Sequence, residues 1–223
     1  MSAAGEQGSE ARLSASSRGT PVVFVVDDDI SVRESLEALI RLAGWEPETF
    51  ASAREFLARS RSDVPSCLVL DLSLPDLNGL DLQKRIVDRT DMPVIFITGY
   101  GDVPSTVQAM KAGAAEFLTK PFGDAVLLTA IQQAIERSQA ALAQEAELRA
   151  LRDCHASLTP REREIMALVV SGLLNKQIAV KLGISEITVK AHRGQVMRKM
   201  QVDSIADLVR IAATLNVPLV SHI

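Results

Sequence analysis

Cysteine is nearly missing from this chain: Cys67 and Cys154 are its only two, far apart in a sequence of 223 residues. That excludes a disulfide framework or a zinc cluster, both of which need several thiols or imidazoles at close spacing. Cys67 sits within an apolar run and reads as a buried strand residue. Long hydrophobic stretches are missing too. No run approaches the roughly 20 residues needed to cross a bilayer, and the first twenty residues lack the apolar core of a secretory signal. The expectation is a protein without membrane segments that stays in the cytoplasm.

An excess of one charge is also lacking, since the net charge is only -4, but that figure hides an uneven division. Residues 1–123 carry 12 Lys/Arg against 18 Asp/Glu, and residues 158–223 carry 9 against 5. A basic terminal segment behind an acidic one suggests a polyanion as partner of the tail. With 47% hydrophobic and 23% charged residues, the chain has ordinary globular composition and enough length for two modest cores.

What is present divides into four parts. Residues 1–20 are rich in Ser, Gly and Ala with almost no large apolar groups, and read as a disordered leader. From 21 to 123, short apolar runs at 22–26, 67–70, 94–97 and 116–118 alternate with helical periods, and residues 45–50 form a weaker strand. This is a βα repeat with a five-stranded parallel sheet. Ser31 with Glu34 and Ser52 with Glu55 are spaced as capping boxes that start helices, and Gly44 and Gly113 are placed to stop them. Residues 124–156 contain neither Gly nor Pro and favour one long linker helix, packed in its first half and exposed in its second. Its stripe of Leu128, Ile131, Ile135 and Leu142 is broken at Ser138 and Glu145, which argues against a strong coiled coil. Residues 158–223 form four short helical blocks that need mutual packing, entered through Thr159 as N-cap, Pro160 and Glu162.

Two constellations carry chemistry. In an open parallel sheet the carboxyl ends of the strands face the ligand crevice. Asp27, Asp28 and Asp29 follow the first strand, Asp71 ends the third, Thr98 follows the fourth and Lys120 follows the fifth. Crowded carboxylates repel unless a hard cation such as Mg2+ joins them through oxygen. One carboxylate could then attack phosphorus while the hydroxyl and the ammonium hold the product. In the tail, residues 175–182, Gly183 and residues 185–200 have the form of a helix-turn-helix. At about 100° per residue, Val189, Val196 and Met200 face inward. Ile187, Lys190, Ala191, Gly194 and Arg198 lie opposite or flanking them, combining cations with small residues suited to a major groove. Arg193 and Lys199 lie nearer the packed side.

Together Asp27, Asp28, Asp71, Thr98, Phe117 and Lys120-Pro121 resemble the receiver domain of two-component response regulators over residues 21–122. The fold so implied is flavodoxin-like α/β, strand order 2-1-3-4-5. By this resemblance Asp71 takes a phosphoryl group from a sensor histidine kinase. Asp27, Asp28, Asp71 and the Ser73 carbonyl attend Mg2+, Thr98 and Phe117 form a switch pair, Lys120 grips the phosphate, and the Lys-Pro bond is cis. The runs at 158–166, 175–179 and 185–193 are similar to the LuxR-type helix-turn-helix of FixJ/NarL-family regulators, nearest the FixJ branch. That similarity implies promoter DNA contacts from Thr188, Lys190, Ala191, Arg193, Gly194 and Arg198. It also implies a homodimer on phosphorylation, through residues 106–118 and the last helix, and RNA polymerase as a further partner. A phosphoaspartate hydrolase would need an acid where Ser73 stands, so enzymatic turnover is not expected. The competing function is a receiver whose helical module docks a protein rather than DNA.

Overall fold

A computed structural model describes residues 19–99 and 103–218. The expected leader lies, apart from Gly19 and Thr20, outside these residues. Contacts group the chain into two compact units that divide between Leu142 and Ala143.

In the first unit, strands β1 (Val22–Val26), β2 (Glu46–Phe50), β3 (Ser66–Asp71), β4 (Val94–Thr98) and β5 (Glu116–Thr119) form one parallel sheet, ordered β2-β1-β3-β4-β5. Helices α1 (Ile30–Leu42), α2 (Ala53–Ala58), α3 (Gly79–Arg85), α4 (Val103–Lys111) and the start of α5 (Asp124–Ala156) connect and follow the strands. The central strands are apolar throughout because both faces of the sheet are covered. Phe24, Leu68, Leu70 and Phe96 pack on one side, with Val25, Val69, Ile95, Ile97, Leu127 and Ile131 on the other. Cys67 is a buried free thiol, as expected of its strand position, and burial pushes its pKa up.

Local signals differ from the sequence reading in three places. The N-cap of α1 is Asp29, whose carboxylate accepts the Ser31 amide at 2.8 Å, so Ser31 and Glu34 lie inside the helix rather than capping it. An Asp two residues ahead of an amide makes the same bond locally and outcompetes a serine already wound into the first turn. At α2, Ser52 caps as expected, but the Glu55 carboxylate reaches back to the Ala51 amide. On α5 the buried stripe runs through Leu127, Ile131, Ala134 and Ile135 to Ser138. Ser138 therefore does not break the packed face. Its hydroxyl accepts the Ser66 amide at 2.9 Å and donates to the Asp91 carbonyl, fastening the helix to the entry of β3.

The second unit contains the rest of α5, then α6 (Pro160–Val170), α7 (Asn175–Leu182), α8 (Glu186–Lys199) and α9 (Ile205–Thr214) around one core of Leu158, Ile165, Ile178, Val189, Val196 and Leu208. The capping box at α6 forms in both directions: Thr159 accepts the Glu162 amide and Glu162 accepts the Thr159 amide. Gly183 leaves α7 with a φ of +64°, which turns the chain tightly into α8.

Glu162 has a second task. It receives the Lys199 ammonium at 2.6 Å, and this ion pair, with the Thr159 amide next, holds its carboxyl down from an ordinary 4.5 to about 2. A carboxyl depressed in the fold contributes stability that is complete above its unfolded value and is lost as pH falls through the folded one. Unfolding midpoints should therefore drop between pH 4.5 and 2. In Glu162→Gln, which keeps an acceptor for Thr159 but has no charge, that part of the drop should be missing from denaturant titrations across the same range.

Candidate functional site: an acidic pocket and a basic helix face

Parallel pairing brings the strand ends together. Val26 is level with Leu70, Asp71 with Ile97 and Thr98 with Thr119, so residues just beyond β1, at the end of β3 and just beyond β5 share one edge. Asp27 is completely buried there, Asp71 is 7% exposed, and Asp28 is exposed. Carboxylate oxygens of Asp27, Asp28 and Asp71 lie within 4.8 Å of one another. The Lys120 ammonium enters from the far strand and bonds Asp27 Oδ2 at 2.7 Å and Asp71 Oδ2 at 2.8 Å. Its approach follows from the backbone: the Lys120 amide donates to the Thr98 carbonyl at 2.7 Å, and the Lys120-Pro121 peptide is cis as expected. The other Asp71 oxygen, Oδ1, accepts the Ser73 amide at 2.9 Å.

The charges in this pocket constrain one another. Burial raises the pKa of Asp27 against the lowering effect of its bonds to Lys120 and Asp29. For Lys120, burial works against the ammonium, but bonds to Asp27 and Asp71 together outweigh it and raise its pKa. One cation thus holds two carboxylates together, while a third, Asp28, remains open to solvent. Hard oxygen donors gathered from three carboxylates fit a divalent cation such as Mg2+.

Thr98 is fully buried at the end of β4. Phe117 is half-buried, its ring 6.2 Å from that of Phe96 at a 38° tilt. Ser73 is exposed on the loop after β3. Gly79, which opens α3, approaches the end of β3 so closely that a Cβ there would lie 2.7 Å from the Asp71 carbonyl oxygen. Only glycine permits that contact.

Two contributors escaped the sequence reading. Arg33 on α1 donates through Nη1 to the carbonyls of Asp27 and Asp28, at 2.7 and 2.9 Å. Asp76, in the loop after β3, accepts the amides of Ala53 and Arg54 at the start of α2. Helical side chains lean toward the N-terminus, which makes the reach of Arg33 readable in principle. The Asp76 contact joins segments more than twenty residues apart and leaves no local signal.

In the helical unit, α8 is capped by Ser185, which accepts the Thr188 amide at 3.1 Å. Val189, Val196 and Met200 are buried, whereas Ile187 is 81% exposed and Thr188, Lys190, Ala191, Gly194 and Arg198 are exposed beside it. Lys190 has no ion-pair partner among the described residues, while Arg198 bonds Gln195 along its own helix. Arg193 is half-buried and held by the Asn175 side chain at the start of α7, and Lys199 is drawn inward to Glu162 and the Ser157 carbonyl. His192 is half-buried.

A parallel sheet gathering acids, a threonine and a lysine at its carboxyl edge, joined in sequence to a helix-turn-helix with an exposed basic face, defines a two-component response regulator with a DNA-binding output. Comparison with known proteins agrees. Residues 23–132 match the response regulator receiver domain and residues 156–212 match the bacterial regulatory proteins of the luxR family. The chain is 50% identical to Nodulation protein W of Bradyrhizobium diazoefficiens over 197 residues, covering 88% of this chain and 87% of that protein. It is 40% identical to Transcriptional regulatory protein FixJ of the same species over 191 residues, covering 85% and 93%. Among solved structures, response regulator StyR superposes with a TM-score of 0.77 at 47% identity, covering 87% of this chain and 99% of that one. The chain belongs to the FixJ-type response regulators, transcription regulators in which a receiver precedes a LuxR-type DNA-binding domain.

Proposed function

We propose that Asp71 is the phosphoacceptor and that its modification controls DNA binding by α8. The observation that carries this reading is the Lys120 bridge between Asp27 and Asp71, which places an ammonium against the one acid that ends a central strand. An Asp71 oxygen forms a bond to phosphorus as the phosphorus-nitrogen bond of a kinase phosphohistidine breaks, leaving the imidazole as departing group. Asp27, Asp28, Asp71 and the Ser73 carbonyl would hold Mg2+, which supplies neutralisation of charge on the transferring oxygens. Lys120 then exchanges its contact with Asp71 for the phosphoryl oxygens, the Thr98 hydroxyl moves toward them, and Phe117 turns inward. Ser73, lacking a carboxylate, gives no base for rapid water attack, so the modified protein is a signalling state and not an intermediate of enzymatic turnover.

The receiver extends over residues 21–123, the connecting helix over 124–157 and the DNA-binding domain over 158–223. In the phosphorylated state α4 and β5 become a homodimer surface, and α9 extends the contact. Pairing raises the effective concentration of the second DNA module. Thr188, Lys190, Ala191, Gly194 and Arg198 face promoter DNA in the cytoplasm, Arg193 contacts the phosphate backbone, and RNA polymerase is recruited to the bound site. No described helix is long and apolar enough to cross a membrane.

Lys190→Ala tests the output half. A lysine that meets DNA contributes about 1–3 kcal/mol, so the variant should bind a target duplex roughly fivefold or more weakly. The affinity of the unaltered protein should also fall steeply with salt, as counterions are displaced from phosphates. Fluorescence anisotropy measures both. Equal affinity of the variant, or binding insensitive to salt, favours a protein-docking role for the helical module.

A further inference from the structure

The acids of the pocket sit on a turn just past the sheet, where the Asp27 amide still donates to the Phe50 carbonyl of β2 at 3.3 Å. Beyond Val26 the chain leaves β1, and among the described residues no strand amide donates to the carbonyls of Asp27 and Asp28. The Arg33 guanidinium takes that role, bonding both oxygens with one nitrogen from the first turn of α1. The same turn is fixed from inside, since Asp27 Oδ1 accepts the Asp29 amide at 2.9 Å and Asp29 caps the helix that carries Arg33. Arg33 thus closes a ring from the metal-facing acids through the helix cap and back to their own backbone.

We propose that Arg33 is a positioning residue for cation binding: by tying the two carbonyls together it directs the Asp27 and Asp28 carboxylates toward Asp71. This rests on the reading of the acid cluster as a cation site. Charge and geometry predict opposite signs, which makes the proposal sharp. If Arg33 acted only as a positive charge beside the acids, removing it would strengthen cation binding. If it holds the turn, removing it weakens binding, because partners that orient metal ligands typically alter affinity by about 10–100-fold. Lysine retains the charge, but its ammonium is more strongly hydrated and rides on a flexible stem, so it holds the two carbonyls less firmly. It should restore binding only in part.

The test is Mn2+ binding to the full chain, read as loss of the free-ion signal in electron paramagnetic resonance, with unfolding midpoints measured in parallel. The expected result is one Mn2+ site in the unaltered protein and a dissociation constant about tenfold higher in Arg33→Gln. Arg33→Lys should fall between the two, and it carries the test alone if the Gln variant does not fold. Unchanged or tighter binding in the folded variants overturns the proposal, including the case where only the unfolding midpoint drops. A failure of the unaltered protein to bind Mn2+ overturns instead the cation site itself.

Discussion

Asp71→Asn is expected to take up no phosphate from acetyl phosphate or a kinase. The substitution changes little else. An asparagine fills the same volume at the end of β3 and can still accept the Ser73 amide that now meets Oδ1. What it loses is the anionic oxygen that faces Lys120 at 2.8 Å. A neutral amide is a poor nucleophile toward phosphorus, and it no longer shares Lys120 with Asp27. Lys120 and Asp27 remain paired, so the unit should stay folded. Intact-mass measurement should show one base-labile phosphoryl adduct on the unaltered protein and none on the variant. An equal adduct on both would place the acceptor elsewhere.

Lys120→Met is expected to cost about 3 kcal/mol of stability at neutral pH without divalent cation, by the general cost of leaving a buried charge unpaired. This is the lower end of the roughly 3–5 kcal/mol typical of a broken buried pair, because the Lys120 side chain is itself 25% exposed, while Asp27 is not exposed at all. The loss should be conditional. Asp27 already titrates above its ordinary 3.8 in the fold, chiefly through burial, so protonating it favours the folded state. That gain is complete below the ordinary value and is lost as pH rises through the folded one. Removing Lys120 deletes the strongest effect that lowers Asp27, so the variant should recover stability on mild acidification, and also on adding Mg2+. Urea titrations at several pH values with and without Mg2+ report both recoveries. A midpoint equal to that of the unaltered protein under all conditions would mean that Lys120 does not neutralise the pocket.

The sheet and its acidic edge were legible because their signals are local. Apolar runs that end in Asp27, Asp71 and Thr98 state both the strand and its functional end, and Thr159-Pro160 with Glu162 states a helix start in four residues. Where two local signals competed, the sequence misled. Ser31 and Glu34 have the spacing of a capping box, yet Asp29 caps α1, because an Asx-type bond forms two residues earlier. Ser138 looked like an interruption on α5 because its partners, Ser66 and Asp91, are 72 and 47 residues away. The inward pull on Arg193 by Asn175 and on Lys199 by Glu162 is likewise a tertiary fact. It separates the basic residues of α8 into those held against the unit and those left on its surface, a division that helical periodicity only approximated.

On the proposed mechanism, a covalent event at Asp71 governs what α8 does. The most direct measurement is the affinity of the full chain for a target duplex, before and after treatment with acetyl phosphate and Mg2+, at fixed salt. Affinity should rise by at least about tenfold on phosphorylation as two modules engage together, and Asp71→Asn should show no such rise. Identical binding with and without the phosphoryl group on Asp71 would contradict the account.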